Sequence, residues 1–324
     1  MTTRNHPAGE RAVEAVTVTP NPALDWTLTI PEFTAGSVNR VVSHCLTPGG
    51  KGVNVAAALA RHGHRVAATG LLGAANAEPF ETFFVGLGID DAFVRVAGET
   101  RVGIKIADPA HERTTDVNFA GARTMPDDVA ALRARVARLA TNAAPWFVLA
   151  GSLPPGIDAA FHGELTRALV AAGRQVVVDT SGDALRYAVG ARPAVVKPNI
   201  HELEALVGEP LPTVEHVLAA ARALGAGGID LVVVSMGDRG ALFVEAREAV
   251  IARPPGVIVR STVGAGDAMV AGIVAGRLRG LSLAELARLA TAFSLAAITA
   301  GGRGPDDQAP IGTLGARVTI DRVG

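Results

Sequence analysis

A carboxylate follows a glycine-rich turn at the start of an apolar helical pattern, in the sequence Gly-Ala-Gly-Asp that ends at Asp267. Backbone N–H groups at a helix start hold negative charge that develops on a transferring phosphate. An aspartate there can take the proton of an attacking hydroxyl. Gly264, Ala265, Gly266 and Asp267 therefore indicate phosphoryl transfer. The alternative role of Asp267 is to cap the helix, because Asp is favoured at helix starts.

A second glycine-rich segment lies earlier in the chain, where Gly49 and Gly50 precede Lys51. It is not a nucleotide P-loop, because the lysine of a P-loop is followed by Ser or Thr and Lys51 is followed by Gly52. The glycines let a ligand approach the backbone, and Lys51 and Asn54 supply a charged and a neutral donor at the next helix start. The alternative is an ordinary glycine turn with an exposed lysine.

Three charged residues fit the recognition of a phosphorylated sugar. Asp25 lies near the end of the first strand pattern, where a carboxylate can accept two hydroxyl hydrogen bonds. Arg101 and Lys105 are four residues apart in a strand pattern, so the period of two places both cations on one face. Such a pair suits a phosphate, and a solvated strand face is the alternative.

Polar residues also follow two later strand patterns, at the strand ends where α/β sheets gather ligands. Lys197, Asn199 and Glu202 end one strand and open a helix. The alternative there is a capping box, because Glu202 is three residues after Asn199. Ser235, Gly237 and Gly240 follow the other strand and suit either a nucleotide phosphate or a tight turn.

These residues need a scaffold of parallel strands and helices. Continuous apolar runs at 176–179, 194–197 and 231–234 predict buried parallel strands. Helical spacing of apolar residues predicts helices at 159–172, 214–224, 267–278 and 283–299. Together they predict an α/β fold with a doubly wound, mostly parallel sheet.

Two segments interrupt this alternation and predict a small separate sheet. Residues 16–40 and 93–121 are rich in Thr, Val, Ile and Phe and lack helical periodicity. The stretch 54–88, interpreted as helical, separates them, so they form two excursions of one domain, as in a lid that excludes water. Residues 1–12 are predicted to be a flexible tail, and 13–324 a single domain.

Composition narrows the possible partners. The 30 Lys and Arg balance 31 Asp and Glu, which argues against nucleic acid and anionic membranes as partners. A single cysteine, Cys45, fits a reducing compartment, and neither a signal peptide nor a membrane span is recognised, so we expect a cytoplasmic protein. The histidines lack metal-ligand spacing.

In combination, these motifs resemble the ribokinase-like, PfkB family of sugar kinases. The resemblance runs from residue 16 to about the carboxyl terminus and is closest to the 1-phosphofructokinase branch. The motifs that carry it are at 21–25, 49–56, 197–202 and 262–267, with support from 115–121, 151–156 and 254–256.

The resemblance implies ATP-dependent phosphorylation with Asp267 as general base and 264–266 as an anion hole. It implies that the sugar is held by Asp25, Gly49, Gly50 and Asn54, and its phosphate by Lys51, Arg101 and Lys105. Ser152 is expected to bind the substrate as well. It places ATP against Lys197, Asn199, Ser235, Gly237, Gly240 and Thr262. Mg²⁺ is expected to ride on ATP, with Glu202 ordering it through water and no direct protein ligand.

The substrate and the assembly remain open at this point. Fructose 1-phosphate reacting at O6, fructose 6-phosphate reacting at O1 and tagatose 6-phosphate all fit, and the resemblance around 116–121 favours the first. A non-catalytic sugar-phosphate sensor and a Rossmann dehydrogenase are alternatives, the second disfavoured because the GxGxxG pattern is incomplete. An exposed edge of the lid sheet suggests a homodimer.

Overall fold

The computed structural model describes residues 12–111, 113–141, 144–256, 264–300 and 310–324. Its strands are Ala15–Thr19 (β1), Ala23–Thr29 (β2), Ser43–Gly49 (β3), Val66–Gly73 (β4), Asp90–Asp91 (β5), Val94–Val96 (β6), Val102–Asp108 (β7), Arg113–Asn118 (β8), Trp146–Ala150 (β9), Gln175–Asp179 (β10), Val195–Val196 (β11), Leu231–Ser235 (β12), Ala241–Val244 (β13), Ala249–Arg253 (β14) and Thr319–Arg322 (β15).

The helices alternate with these strands over most of the chain. They are Lys51–Arg61 (α1), Glu78–Leu87 (α2), Pro126–Thr141 (α3), Phe161–Ala171 (α4), Gly182–Val189 (α5), Ile200–Val207 (α6), Val214–Ala226 (α7), Ala265–Leu278 (α8), Leu283–Ala300 (α9) and Ile311–Ala316 (α10). Short 3₁₀ turns occur at Ala74–Asn76 and Gly237–Arg239. The four helices expected from the sequence are all present, with ends that differ by at most two residues.

Within the described residues, one eleven-stranded sheet forms the centre of the molecule, in the order β15-β14-β13-β12-β11-β10-β9-β1-β4-β5, with β6 also paired to β4. Strands from β12 to β5 pair in parallel, and β13, β14 and β15 extend the edge antiparallel. The predicted α/β fold with a mostly parallel sheet is confirmed.

Helices cover both faces of this sheet and create two apolar cores. Residues of β1 alternate between them: Ala15 faces one core, and Val16 and Val18 face the other. The first core contains apolar residues of α1, α2, α8, α9 and α10, and the second those of α3 to α7. Because both faces are covered, the central strands are buried along nearly their whole length and are mostly apolar, as expected of parallel sheets.

The second, four-stranded sheet has the order β3-β2-β7-β8. It contains β2, β7 and β8 from the two segments expected to form a lid, and it is called the lid below. Its two faces differ in chemistry. One face carries a cross-strand row of apolar residues, Leu46, Trp26, Ile104 and Val117, and the adjacent row on the other face is Thr47, Asp25, Gly103 and Asn118. The polar face therefore presents Asp25 toward the glycine turn at Gly49.

The bounds expected for the lid were partly wrong. Residues 16–19 belong to the central sheet as part of β1, and Val94–Val96 pairs with β4. The lid also contains Ser43–Gly49, whose polar sequence does not show a strand pattern. The stretch 54–88 is not wholly helical, because it contains the buried strand Val66–Gly73. Among the described residues, no helix is both long and apolar enough to cross a membrane.

Candidate active site

The predicted site residues converge at the carboxyl ends of the central parallel strands. β9 leads into Gly151 and Ser152, β10 ends at Asp179, and β11 leads into Lys197. The start of α8 and the start of α1 reach the same place, because Asn54 contacts Asp267 and Lys51 contacts Asp179. This edge is where ligands bind in open α/β sheets.

Asp267 lies in the first turn of α8 and is buried, with 7% of its surface exposed. The Asn54 Nδ2 donates to its Oδ2 at 2.8 Å. The N-cap position of α8 is Gly264, with φ of 78°, so Asp267 does not cap the helix as the alternative interpretation held. The residues of the glycine turn allow this geometry because glycine adopts positive φ without strain.

Burial and the negative charge of Asp179 raise the pKa of Asp267 to about 6. The hydrogen bond from Asn54 and the charges of Lys51 and Lys197 act in the opposite direction. The result is a carboxylate that is ionised at neutral pH and more basic than an ordinary aspartate. That combination suits a general base.

Asp179 is a functional candidate that the sequence reasoning missed. It is fully buried, and its Oδ1 accepts from Lys51 Nζ at 2.8 Å while Oδ2 lies 3.4 Å from Lys197 Nζ. Burial opposes ionisation, but the two lysines outweigh it and lower the pKa of Asp179. The signal in the sequence was an acid at the end of an otherwise apolar parallel strand, 176–179.

Lys197 also lies beside the glycine turn of α8. A Cβ added to Gly266 would be 3.3 Å from Lys197 Nζ, so the absence of a side chain leaves room for the ammonium group. The start of α8 therefore combines the backbone N–H groups of a helix amino terminus with a nearby buried cation. Both features favour a phosphoryl group at this position.

A cavity of about 830 Å³ opens next to this cluster. Its lining includes Asn21, Lys51, Arg101, Ser152 and Glu202. Arg101 is oriented by two backbone carbonyls, donating to Phe119 O at 2.9 Å and Asn21 O at 3.1 Å. The cavity thus brings two cations, Lys51 and Arg101, to one volume, which suits an anionic ligand.

Lys105 takes a different position from Arg101. Its Nζ lies 2.5 Å from Asp25 Oδ2, and neither residue is among those that line the cavity in the described part of the chain. Gly49 and Gly103 surround the same carboxylate, because a Cβ at either position would lie under 3.0 Å from an Asp25 oxygen. Lys105 therefore holds Asp25, and only Lys51 and Arg101 of the three predicted cations face the cavity.

The residues expected on the nucleotide side lie where β11 and β12 end. Asn199 and Ser235 form an isolated parallel bridge. Asn199 and Glu202 form a complete capping box, which is the alternative to nucleotide binding that the sequence offered. Glu202 also lines the cavity. Gly240 serves the turn before β13, because a Cβ there would lie 2.2 Å from Ala252 O.

Gly237 and Thr262 are the two remaining residues that were expected to bind ATP. Gly237 has φ of 65°, and no atom of the described residues lies within 4 Å of an added Cβ, so the space beside it is open to a ligand. Thr262 lies outside the described residues. A second cavity, of about 540 Å³, opens at the amino ends of the strands near Trp146 and Arg277, and none of the predicted site residues lines it.

Comparison with known proteins gives the family of the chain. Residues 22–310 match the model of the pfkB family carbohydrate kinases. A 1-phosphofructokinase of Rhodobacter capsulatus is 50% identical over 87% of this chain and 89% of its own length. A 1-phosphofructokinase of Xanthomonas campestris is 45% identical over 90% of this chain and 92% of its own length.

A solved structure shares the fold. Phosphofructokinase-2 from Escherichia coli, in complex with substrates and products, aligns with a TM-score of 0.88 and 31% identity over 94% of this chain and 99% of that one. The family match covers most of the chain, and the buried carboxylate, the glycine turn and the cationic cavity lie within it. The chain therefore belongs to the pfkB family of carbohydrate kinases and is a phosphotransferase that uses an alcohol group of a sugar as acceptor.

Proposed function

We propose that this protein transfers the γ-phosphoryl group of ATP to O6 of fructose 1-phosphate, which gives fructose 1,6-bisphosphate. The observation that carries the proposal is Asp267, buried at the start of α8 and held by Asn54. The substrate is supported by the names of the relatives, 1-phosphofructokinases at 50% and 45% identity.

In this reaction Asp267 accepts the proton of the attacking O6 hydroxyl. The carboxylate is already positioned by Asn54, so the proton transfer needs no rearrangement of its own side chain. The N–H groups at Gly264, Ala265 and Gly266 face the transferring phosphoryl group, and Lys197 adds a positive charge beside them. These N–H groups and the ammonium group of Lys197 therefore stabilise the negative charge that develops in the transition state, without first having to move.

The phosphate already present on the sugar is held in the cavity by Lys51, Arg101 and Ser152. Asp25 accepts hydroxyl hydrogen bonds of the sugar, with Lys105 fixing its carboxylate and Gly49 leaving room for that carboxylate. Gly50 is assigned to the sugar from the sequence alone. Asn54 acts mainly on Asp267, since its amide nitrogen is engaged there. Its amide oxygen stays available to a sugar hydroxyl.

ATP binds across Lys197, Asn199, Ser235 and Gly237 in this proposal, and Thr262 is assigned there from the sequence alone. The residues present fit a magnesium ion carried by ATP. Glu202 offers one carboxylate oxygen at the cavity while the other accepts from the Asn199 N–H. No group of three or more His, Cys, Asp or Glu side chains that could hold a metal occurs in the described ranges. Bound Mg²⁺ would neutralise charge on the β- and γ-phosphates.

The assembly we propose is a homodimer through the lid. Trp26, Leu46 and Val117 lie in one row on the outer face of the lid and are 40%, 46% and 45% exposed. A contiguous apolar row of this kind is typical of an interaction surface. We also propose a cytoplasmic location, where ATP and phosphorylated sugars occur together and the exposed thiol of Cys45 stays reduced.

The test is ADP release by the purified protein with Mg²⁺-ATP and, separately, fructose 1-phosphate, fructose 6-phosphate, tagatose 6-phosphate or fructose. The highest kcat/KM is expected for fructose 1-phosphate. A higher kcat/KM for fructose 6-phosphate or tagatose 6-phosphate would retain the kinase mechanism and contradict the assignment of fructose 1-phosphate as the substrate. If no ADP is released with any of these four sugars, a sugar-phosphate sensor is favoured.

A further inference from the structure

A fully buried histidine, His162, lies behind the cavity and has no role in the reaction described above. It belongs to α4, and its Nε2 is 3.3 Å from the carbonyl oxygen of Gly151. A carbonyl oxygen only accepts hydrogen bonds, so Nε2 carries the proton. Burial lowers the pKa of His162 to about 4, which keeps the ring neutral at neutral pH.

The same carbonyl oxygen accepts a second hydrogen bond, from Thr180. The Thr180 hydroxyl lies 2.9 Å from Gly151 O, and the Gly151 N–H donates to Asp179 O at 3.0 Å. Gly151 has φ of 94°, a conformation that glycine adopts readily. Both polar groups of Gly151 are therefore fixed toward the protein interior.

Fixing the Gly151 carbonyl also fixes the N–H of the next residue. In a planar trans peptide the C=O and N–H bonds point in opposite directions, and no cis peptide occurs in the described ranges. With its carbonyl turned toward Thr180 and His162, the peptide directs the Ser152 N–H away from the interior. Ser152 is exposed and lines the cavity with Lys51 and Arg101. Across the described part of the chain, that N–H donates to no other backbone carbonyl.

We propose that His162 and Thr180 are positioning residues for the sugar phosphate: they orient the Gly151–Ser152 peptide so that the Ser152 N–H donates to a phosphate oxygen of the substrate. This inference rests on the proposed function, since it names the ligand of that same cavity. Lys51 and Arg101 supply the charge, and the Ser152 N–H supplies a donor of fixed direction. The Ser152 hydroxyl is engaged separately, because Asn21 Nδ2 lies 3.2 Å from it.

Thr180 and His162 are expected to restrain the Gly151 carbonyl to different extents. The contact from Thr180 is shorter than that from His162, 2.9 against 3.3 Å, so the hydroxyl restrains the carbonyl more strongly. Thr180→Val removes this hydroxyl at nearly constant volume. His162→Leu removes the ring, and His162→Gln keeps a nitrogen donor at the same number of bonds from the backbone.

The experiment compares steady-state kinetics of these variants with the unmodified protein. Thr180→Val is expected to raise the KM for fructose 1-phosphate about tenfold, the value of one hydrogen bond to a charged group. The KM for ATP and kcat should change less than about twofold, because the lost contact is made with the phosphate of the sugar and not with ATP or the reacting atoms. Thr180→Ser and His162→Gln, which retain a donor, should restore most of the affinity that Thr180→Val and His162→Leu lose.

Thr166→Val is the matched control. Thr166 is a buried threonine of the same helix as His162, and its hydroxyl also donates to a carbonyl, that of His162, at 2.7 Å. Its hydroxyl donates to His162 and not to Gly151, so its loss should lower stability and leave the KM for fructose 1-phosphate unchanged.

Three results would overturn the inference. An unchanged KM in Thr180→Val would remove the positioning role, and so would an equal rise in Thr166→Val, because that would indicate general loosening. Absence of ADP release by the unmodified protein with every phosphorylated sugar would overturn the proposed function and this inference with it. If another phosphorylated sugar is preferred, the same comparison with that sugar decides the role of His162 and Thr180.

Discussion

Two opposing effects act on the Asp267 carboxylate. Burial and the neighbouring Asp179 favour its protonated form, whereas Asn54, Lys51 and Lys197 favour its ionised form. The balance gives a pKa of about 6, which leaves the group ionised at neutral pH. A base with a pKa near the working pH removes a proton from an alcohol more effectively than an ordinary carboxylate does.

Replacing this base should remove turnover and spare nucleotide binding. We expect Asp267→Asn to lower kcat by at least about a hundredfold, the low end for loss of a general base. The KM for ATP should stay within about twofold, because the change affects an interaction made with the acceptor. Asp183→Asn is the control, an exposed carboxylate in the first turn of α5. Near-normal kcat in Asp267→Asn would remove this residue from the mechanism.

The raised pKa predicts the pH dependence. Because the base must be ionised, kcat/KM should fall as the pH drops through about 6. Asp179→Asn removes the second cause of the shift, so the acid limb should move to lower pH even if the maximal rate decreases. The measurement is kcat/KM from pH 5 to 9 for both proteins. An acid limb at the same pH in both would show that Asp179 does not act on Asp267.

Single residues were predictable where a motif marks them and unpredictable where a long-range contact defines them. Asp267, Lys51 and Arg101 were selected as candidate site residues from glycine turns and strand periodicity. Asp179 was missed because its partners lie 128 and 18 residues away, at Lys51 and Lys197. Lys105 was assigned to phosphate, but spacing alone does not show that its ammonium group reaches Asp25.

Helix α8 carries Asp267 and is positioned by close packing on α9. A Cβ added at Gly272 would lie 2.6 Å from the Ala290 Cα, a backbone atom that cannot move away easily. Gly272 therefore allows the two helices to approach. The register of Asp267 depends on this contact, since ten consecutive residues of α8, from 267 to 276, are buried.

Gly272→Ala is expected to destabilise the protein by about 1–3 kcal/mol, the usual cost of overpacking. Gly86→Ala is the matched control, because Gly86 lies in α2 with no atom within 4 Å of an added Cβ. There the better helix propensity of alanine should stabilise by up to about 1 kcal/mol. Urea unfolding measures both changes. Equal stability of the two variants would contradict the packing role of Gly272.

The lid shows why element bounds were harder to predict than element types. Residues 16–19 alternate Val and Thr, and all of β1 is buried, so composition did not separate this central strand from a lid strand. The strand Ser43–Gly49 was missed because it contains a proline and mostly exposed residues. Its pairing with β2 depends on the fold and not on its own sequence.

The exposed apolar row on the outer face of the lid predicts that the protein forms a dimer. Leu46→Glu places a charge in the exposed apolar row and should convert a dimer to a monomer. Val85→Glu is the control, because Val85 is 82% exposed on α2 and does not belong to the lid sheet. Sedimentation velocity at matched concentrations gives the masses. A monomeric unmodified protein, or a dimer that survives Leu46→Glu, would contradict the lid interface.

The layered α/β architecture, and a candidate site at the carboxyl ends of its strands, followed from the sequence. The acceptor sugar depends on hydroxyl contacts that strand and helix patterns do not specify. One competition experiment addresses it. Equal amounts of fructose 1-phosphate and fructose 6-phosphate are mixed with limiting Mg²⁺-ATP and the protein, and ³¹P NMR follows each substrate. We predict that the fructose 1-phosphate signal disappears first and that fructose 1,6-bisphosphate forms. Earlier loss of fructose 6-phosphate, or no loss of either, would contradict the proposed function.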